Sequence, residues 1–276
     1  MINFRRVVLD RAVNVLSLYD GCSMGRVALE RAGIPVKQYY ASEIDPYPIK
    51  VSQKNYPDII HVGDVKYVGK TKDSPNFDLL IGGSPCQGFS FASKDRLNFD
   101  DPRSKLFFEY VRILKEFKPK YFLLENVKMK KEHQDIISEH LGVEPIEINS
   151  SLLSAQNRVR LYWTNIPVDL PYYTDIVLKD ILEKDNPNFK YKKLKEYYSN
   201  KPQKEGGCYQ VGEADIKGYD IIKRVYSIEG KAPALTTMQG GHREPRLRVQ
   251  IRYIGENLHL SKWKDYKHYL IIILRV

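Results

Sequence analysis

The sequence predicts an α/β protein with a mostly parallel sheet covered by helices on both faces. Three observations lead there. Over roughly the first 165 residues, short β-branched or aromatic runs alternate with longer amphipathic stretches. The links between them are short, as strand–helix–strand units require. The apolar content is ordinary and the charged fraction moderate, which suits one packed core with a smaller lobe in 276 residues.

The elements follow in order. "VNVLSLY", from Val13 to Tyr19, reads as a buried strand, and "GRVALERAG" as a helix closed by Gly33. "KQYYASEI" is a second strand, followed by a helix from about Tyr47 to Asn55. "DIIHVGDV" holds a third strand and "FDLLIGG" is a fourth. In "RSKLFFEYVRILKEFKP", residues Leu106, Phe107, Tyr110, Val111 and Leu114 share a helical face, and Pro119 ends the helix. "KYFLLENV" is a fifth strand, and "VRLYWTNIP" a later one that stops at Pro167. From Val168 to about Lys231 the composition shifts to lysine, tyrosine, asparagine and proline, as in "NPNFKYKKLKEYYSNKPQKEGG". That stretch reads as a small lobe or a set of long loops. The expected division is 1–167, 168–246 and an atypical tail, 247–276.

Composition narrows the chemistry. The net charge of +10 and a pI near 9.2 favour a polyanionic partner, although a merely soluble basic surface has the same signature. Three cysteines, Cys22, Cys86 and Cys208, with no CxxC pair, argue against a disulfide framework or a zinc site, so no metal is expected and a reducing cytoplasm is. The apolar "YLIIILRV" is too short to span a bilayer, and "MINFRRVVLD" lacks the core of a signal peptide, so no membrane partner is expected.

The site is read from the strand ends. In open α/β sheets, ligands sit just beyond the carboxyl ends of the strands. Asp20-Gly21, Glu43, Asp64, Ser84-Pro85-Cys86 and Glu125-Asn126 lie at those ends. A lone acid there is usually a cap or a turn former. Four carboxylates and a thiol on one edge exceed what capping needs. "DGCSMG" opens a helix with Gly21 and Gly25, but it is not GxGxxG, and Asp20 puts negative charge where a pyrophosphate would lie. A nucleoside with a cationic tail, S-adenosylmethionine, fits better, with Glu43 accepting from its ribose hydroxyls. Cys86 is either a small buried apolar residue or a nucleophile; as a nucleophile it needs positive charge or backbone N–H groups to reach its thiolate form. Pro85 fixes the backbone entering it, and Glu125 is placed to hydrogen-bond a ring nitrogen of a substrate.

"DGCSMG", "SEID", "GGSPCQGFS", "ENV" and "QNRVR", in that order, resemble the DNA cytosine-5 methyltransferases, most closely the animal de novo enzymes and their bacterial and phage relatives. The resemblance covers residues 13 to 167 best. It implies a Rossmann-like, S-adenosylmethionine-dependent methyltransferase fold followed by a small target-recognition region. It implies that Asp20, Gly21, Cys22, Ser23 and Met24 form the first loop around S-adenosyl-L-methionine, and that Glu43 holds the ribose. Ile44 or Asp45 would flank the adenine and Asp64 and Val65 contact it, with Pro85 also on the donor side. Cys86 would add to carbon 6 of a cytosine flipped out of double-stranded DNA, Glu125 would bind its N3/N4 edge, and Arg158 and Arg160 would hold the base and the thiol loop. Two arginines at alternate positions would share one face of a strand. "APALTTMQGGHREPR", with Thr236, Thr237, Gly240 and Gly241, resembles the segment that supports the target-recognition region. The family's closing motif, around an asparagine, has no match in residues 247–276, which leaves two expectations: a truncated or frame-shifted reading frame, or a second chain as the partner that supplies it. Alternatives at this point are a tRNA methyltransferase of the same family, a DNA-binding protein without catalysis and, more distantly, a nicotinamide oxidoreductase.

Overall fold

The computed structural model describes residues 11–85, 106–170, 173–182, 190–191, 194–195, 207–214, 217, 219–234, 246–248 and 262–263. They fall into two compact units. One holds the described residues up to Ile148 together with Val159–Leu170; the other holds Asn149–Arg158 and the described residues from 173 onward.

The first unit is an α/β sandwich on a seven-stranded sheet. In chain order it comprises β1 (Val13–Leu18), α1 (Met24–Arg31), β2 (Val36–Ser42), α2 (Pro46–Asn55), β3 (Ile60–His61), β4 (Leu79–Gly82), α3 (Leu106–Phe117), β5 (Tyr121–Val127), α4 (Lys131–Leu141), β6 (Ile146–Asn149) and β7 (Val159–Thr164). The strand order is β3-β2-β1-β4-β5-β7-β6. β1 pairs in parallel with β2 and β4, β2 with β3, and β4 with β5, whereas β7 runs antiparallel to β5.

β1 is buried along almost its whole length because helices cover both sides of it. Its residues alternate between two cores. Val13 and Val15 pack with Leu29 of α1, Tyr39 and Ala41. Leu16 and Leu18 pack with Phe107 and Tyr110 of α3, Ile137 of α4, Leu124 and Trp163. Each fully buried side chain of this size stabilises the fold by roughly 1.5–3 kcal/mol. Helix α3 buries Phe107, Tyr110, Val111 and Ile113, while Leu106 and Leu114 pack partly buried at its margin. It stops at Phe117, where Lys118 turns left-handed ahead of Pro119. Gly33 is left-handed after α1, and its N–H donates to the Glu30 carbonyl, closing the helix as the sequence predicts.

In the second unit, α5 (Leu178–Ile181), β8 (Lys190–Tyr191), β9 (Leu194–Lys195), β10 (Gln210–Ala214), α6 (Asp220–Lys223), β11 (Arg224–Ser227), β12 (Arg246–Arg248) and β13 (Lys262–Trp263) follow in order. Four of the strands form a sheet in the order β12-β11-β10-β9, and β13 pairs with β8. Ala155, Leu178, Tyr226 and Ala232 make its small core. Among the described residues, no helix is long and apolar enough to cross a membrane.

Candidate active site

The chain leaves β1 for β2 and β3 on one side and returns to β4 and β5 on the other. The topological switch point, where such sheets leave a crevice, therefore lies between β1 and β4. Because β1 to β5 are parallel, all their carboxyl ends face that one edge. Asp20, Glu43 and Asp64 follow β1, β2 and β3, Gly83-Ser84-Pro85 follow β4, and Glu125 lies near the end of β5. Cys86 lies outside the described residues, as do Thr236, Thr237, Gly240, Gly241 and the tail residues 249–261 and 264–276.

The loop after β1 is held by its own acids. Tyr39 donates its hydroxyl to Asp20 Oδ1 at 2.7 Å, and the buried Ser23 hydroxyl donates to Oδ2. Ser23 also lies 2.6 Å from the Ser52 hydroxyl. Burial pushes the Asp20 carboxyl above its usual range, against hydrogen bonds from Ser17, Ser23 and Tyr39 that pull it down. The Tyr39 and Ser23 hydroxyls on Asp20 brace the loop. Tyr19, Gly21 and Ser23 are all left-handed, so the chain turns sharply three times before Met24 opens α1. At Gly21, open space lies where a Cβ would project. Gly25 is different: a Cβ there would come within 2.3 Å of Ile81 Cδ1 and 2.8 Å of the Tyr39 hydroxyl. That glycine serves the close approach of α1 to the sheet.

Glu43 ties this loop to the next. Its Oε2 accepts from Gly21 N–H at 2.9 Å, and its Oε1 accepts from Ile44 and Asp45 N–H at 2.7 and 2.9 Å. A carboxylate has about four acceptor positions, so roughly one is left for a ligand hydroxyl. Ile44 stands 71% exposed beside it, an apolar surface without a core to join. Cys22 is half-buried, and burial, then the Asp20, Glu43 and Asp45 charges, raises its thiol pKa. Asp64 caps a short 3-10 turn by accepting from Lys66 N–H at 3.0 Å. Val65 is only 4% exposed and packs in the α3-side core, so its main chain, not its side chain, is what remains for a ligand.

On the other side of the switch point, Arg160 Nε donates to Glu125 Oε1 at 2.7 Å, with the two side chains 15% and 29% exposed. The antiparallel register brings them together, because it sets Val127 opposite Arg160 and Glu125 opposite Tyr162. A second bond from Arg160 Nη1 to its own strand's Val159 carbonyl, at 2.8 Å, fixes the guanidinium. Glu125 Oε2 lies 3.1 Å from where a Cβ of Gly83 would project, so the carboxylate sits at the exit of β4, three residues before Cys86. The buried Asn126 donates to the Ser84 hydroxyl at 3.3 Å and steadies that exit. Sequence reasoning missed Tyr39 and Gly83 as parts of this edge; the "GG" before Ser84 was the available signal for the second.

Arg158 does not share a strand face with Arg160. It precedes β7, its N–H donates to Asn149 Oδ1 at 3.0 Å, and its carbonyl accepts from Ser150 N–H at 3.1 Å. The reason is local: Asn149 and Asn157 join side chain to side chain at 2.8 Å, which folds residues 149–158 into a closed loop before β7 begins. Among the described residues, no group of His, Cys, Asp and Glu forms a metal cluster.

A mostly parallel sheet with this strand order, carrying its acids and its glycine turns on the carboxyl edge at the switch point, is a Rossmann-like methyltransferase fold. The chain belongs, within that class, to the C-5 cytosine-specific DNA methylase family, whose profile matches residues 13–239. It is 32% identical over 311 aligned residues to the orphan methyltransferase M.SPRI of Bacillus phage SPR, covering 90% of this chain and 70% of that protein. It is 35% identical over 242 residues to the type II methyltransferase M.NlaIV of Neisseria lactamica, covering 74% of this chain and 57% of that one. Among solved structures, a prophage-encoded E. coli protein described as a DNA modification methyltransferase superposes with a TM-score of 0.59 at 22% identity. The match covers 81% of this chain and 82% of the other, a likeness of fold.

Proposed function

We propose that this chain methylates carbon 5 of cytosine in DNA, using S-adenosylmethionine and a covalent adduct through Cys86. The observation that carries the reading is the Glu125–Arg160 pair held at Gly83, the exit of β4, which precedes Cys86 by three residues in the sequence. The residues after β1 and β2 suit the donor: open space at Gly21, one acceptor position left on Glu43, and exposed Ile44 for an adenine face. When bound, S-adenosylmethionine supplies an electrophilic methyl group. The Cys86 sulfur bonds to carbon 6 of the extruded base. Glu125 hydrogen-bonds the N3/N4 edge and favours protonation at N3, which raises electron density at carbon 5. Arg160 keeps Glu125 in register with the base, and Arg158 holds the base and the thiol loop. Loss of the carbon 5 proton to a base then expels the Cys86 thiolate and restores the ring. Flipping the cytosine costs on the order of a few kcal/mol, which contacts to the base must offset.

The experiment is transfer of labelled methyl groups to duplex DNA by the wild type and by Cys86→Ser. The variant should lose transfer and keep DNA binding, and a duplex carrying 5-fluorocytosine should trap the wild type covalently. Unchanged turnover by Cys86→Ser would rule out the covalent route.

A further inference from the structure

Lys231 is fully buried, at 0% exposure. An ammonium has three donors, and here all three are used on main-chain carbonyls: Ser154 at 3.0 Å, Thr174 at 3.1 Å and Ile176 at 2.6 Å. Its charge also lies 5.0 Å from the centre of the Tyr173 ring. A buried unpaired ammonium would be very costly, so a lysine in such a place is held by its partners and holds them in turn. The backbone beside it repeats the pattern. Lys231 N–H donates to the Gly207 carbonyl at 3.0 Å, Ala232 N–H donates to Ala155 at 2.6 Å, and Asn157 N–H donates to Ala232 at 2.8 Å. Gln156 and Ala232 form a parallel bridge.

Four of these contacts, those with Ser154, Ala155, Gln156 and Asn157, fall on residues 154–157, the stretch that leads directly into Arg158. Thr174 is tied to the same loop, since both its N–H and its hydroxyl donate to the Leu152 carbonyl, at 2.8 and 3.0 Å. We infer that Lys231 is a positioning residue for Arg158: its ammonium ties the 149–158 loop to the segment at 231–232 and fixes the backbone from which Arg158 projects. The inference rests on the role proposed above for Arg158. A neutral side chain of similar length would fill the space and leave three carbonyls without donors, so the loop would loosen while the rest of the unit persists.

The test is a double-mutant cycle on methyl transfer to duplex DNA with Lys231→Met, Arg158→Ala and the pair. Lys231→Met should lower kcat about tenfold with the donor KM within about twofold, and Lys231→Arg should recover part of that loss. Adding Lys231→Met to Arg158→Ala should cost nothing further, because both act through one group. Multiplying losses, or full kcat in Lys231→Met, overturns the inference. Full kcat in Arg158→Ala overturns instead the role given to Arg158. Amide hydrogen exchange needs no activity: Lys231→Met should speed exchange at Asn157 by about tenfold while Ser227, bonded to Tyr209, keeps its protection. Unchanged protection at Asn157 also overturns the inference. Should Lys231→Met fail to fold, Lys231→Gln, which retains two donors, is read against the same outcomes.

Discussion

Arg160 meets Glu125 across a strand pair that the sequence does not announce. Both residues were legible as members of motifs, but their contact depends on β7 running against β5, and direction is not written in either strand's composition. The same holds for Asp20 and Glu43. Each reads as a strand-end acid, yet their partners, Tyr39 and the Gly21 N–H, come from neighbouring segments whose spacing only the folded sheet sets. Arg160→Lys is the sharpest test of the pair. An ammonium keeps the charge but cannot place an Nε donor on Glu125 while bonding the Val159 carbonyl. Steady-state assays should show kcat down roughly 100-fold with little change in donor KM. A drop of less than about threefold would mean that charge alone suffices. Cys22 yields a second prediction. Burial and three acidic neighbours raise its thiol pKa, so in a Cys86→Ser, Cys208→Ser background its alkylation should rise with pH later than an ordinary thiol, whose pKa is about 8.5. Glu43→Gln removes one negative neighbour and should move the midpoint down. A midpoint unmoved or raised in that variant would contradict an electrostatic contribution from Glu43.

Among elements, those with strong apolar periodicity were readable and those without it were not. Helix α3 declares itself through Leu106, Phe107, Tyr110, Val111 and Leu114 on one face, and the structure buries Phe107, Tyr110 and Val111 of these together with Ile113. Helix α4 does not: its buried positions are His133, Ile137, Ser138 and Leu141, and two of the four are polar. The stripe has helical spacing but weak apolar contrast, so periodicity passes it by. β6 is a four-residue strand with no fully buried position and offers no pattern to read, whereas β3, only two residues long, falls within "DIIHVGDV", where a third strand was expected. The tight seat of α1 has a testable consequence at this scale. Gly25→Ala puts a methyl group into Ile81 Cδ1 and the Tyr39 hydroxyl. Ile81 can change rotamer, but Tyr39 is held by Asp20 and cannot withdraw without breaking that bond. The variant should lose about 1–3 kcal/mol of stability, read as a lower urea midpoint, and bind the donor more weakly because the loop before α1 shifts. A midpoint equal to that of the wild type would show that the helix has room to move.

At the scale of the whole molecule, the change in composition after residue 167 was visible, but the company kept by residues 149–158 was not. Lys231 and Ser154 are 77 residues apart, and no local signal predicts so distant a pairing. Charge is the other whole-molecule property, and it yields the last prediction. Many cations of the first unit are already matched: Lys128 with Glu147, Lys130 with Glu132, and Arg112 with Glu109 and Glu116. Such exposed pairs add little stability, but they remove those cations from the net field. The stretch "NPNFKYKKLKEYYSNKPQKEGG" is different, with six lysines against two glutamates. If those lysines neutralise DNA phosphates, they act on any sequence alike, and each releases counterions on binding. Replacing Lys192 and Lys193 by glutamine should then weaken binding to cognate and unrelated duplexes by the same factor, about tenfold at moderate salt. It should also flatten the slope of log affinity against log salt by about two. Fluorescence anisotropy between about 50 and 200 mM salt measures both quantities. Weakening confined to one DNA sequence would assign these lysines to base readout instead, and an unchanged slope would remove them from the DNA interface.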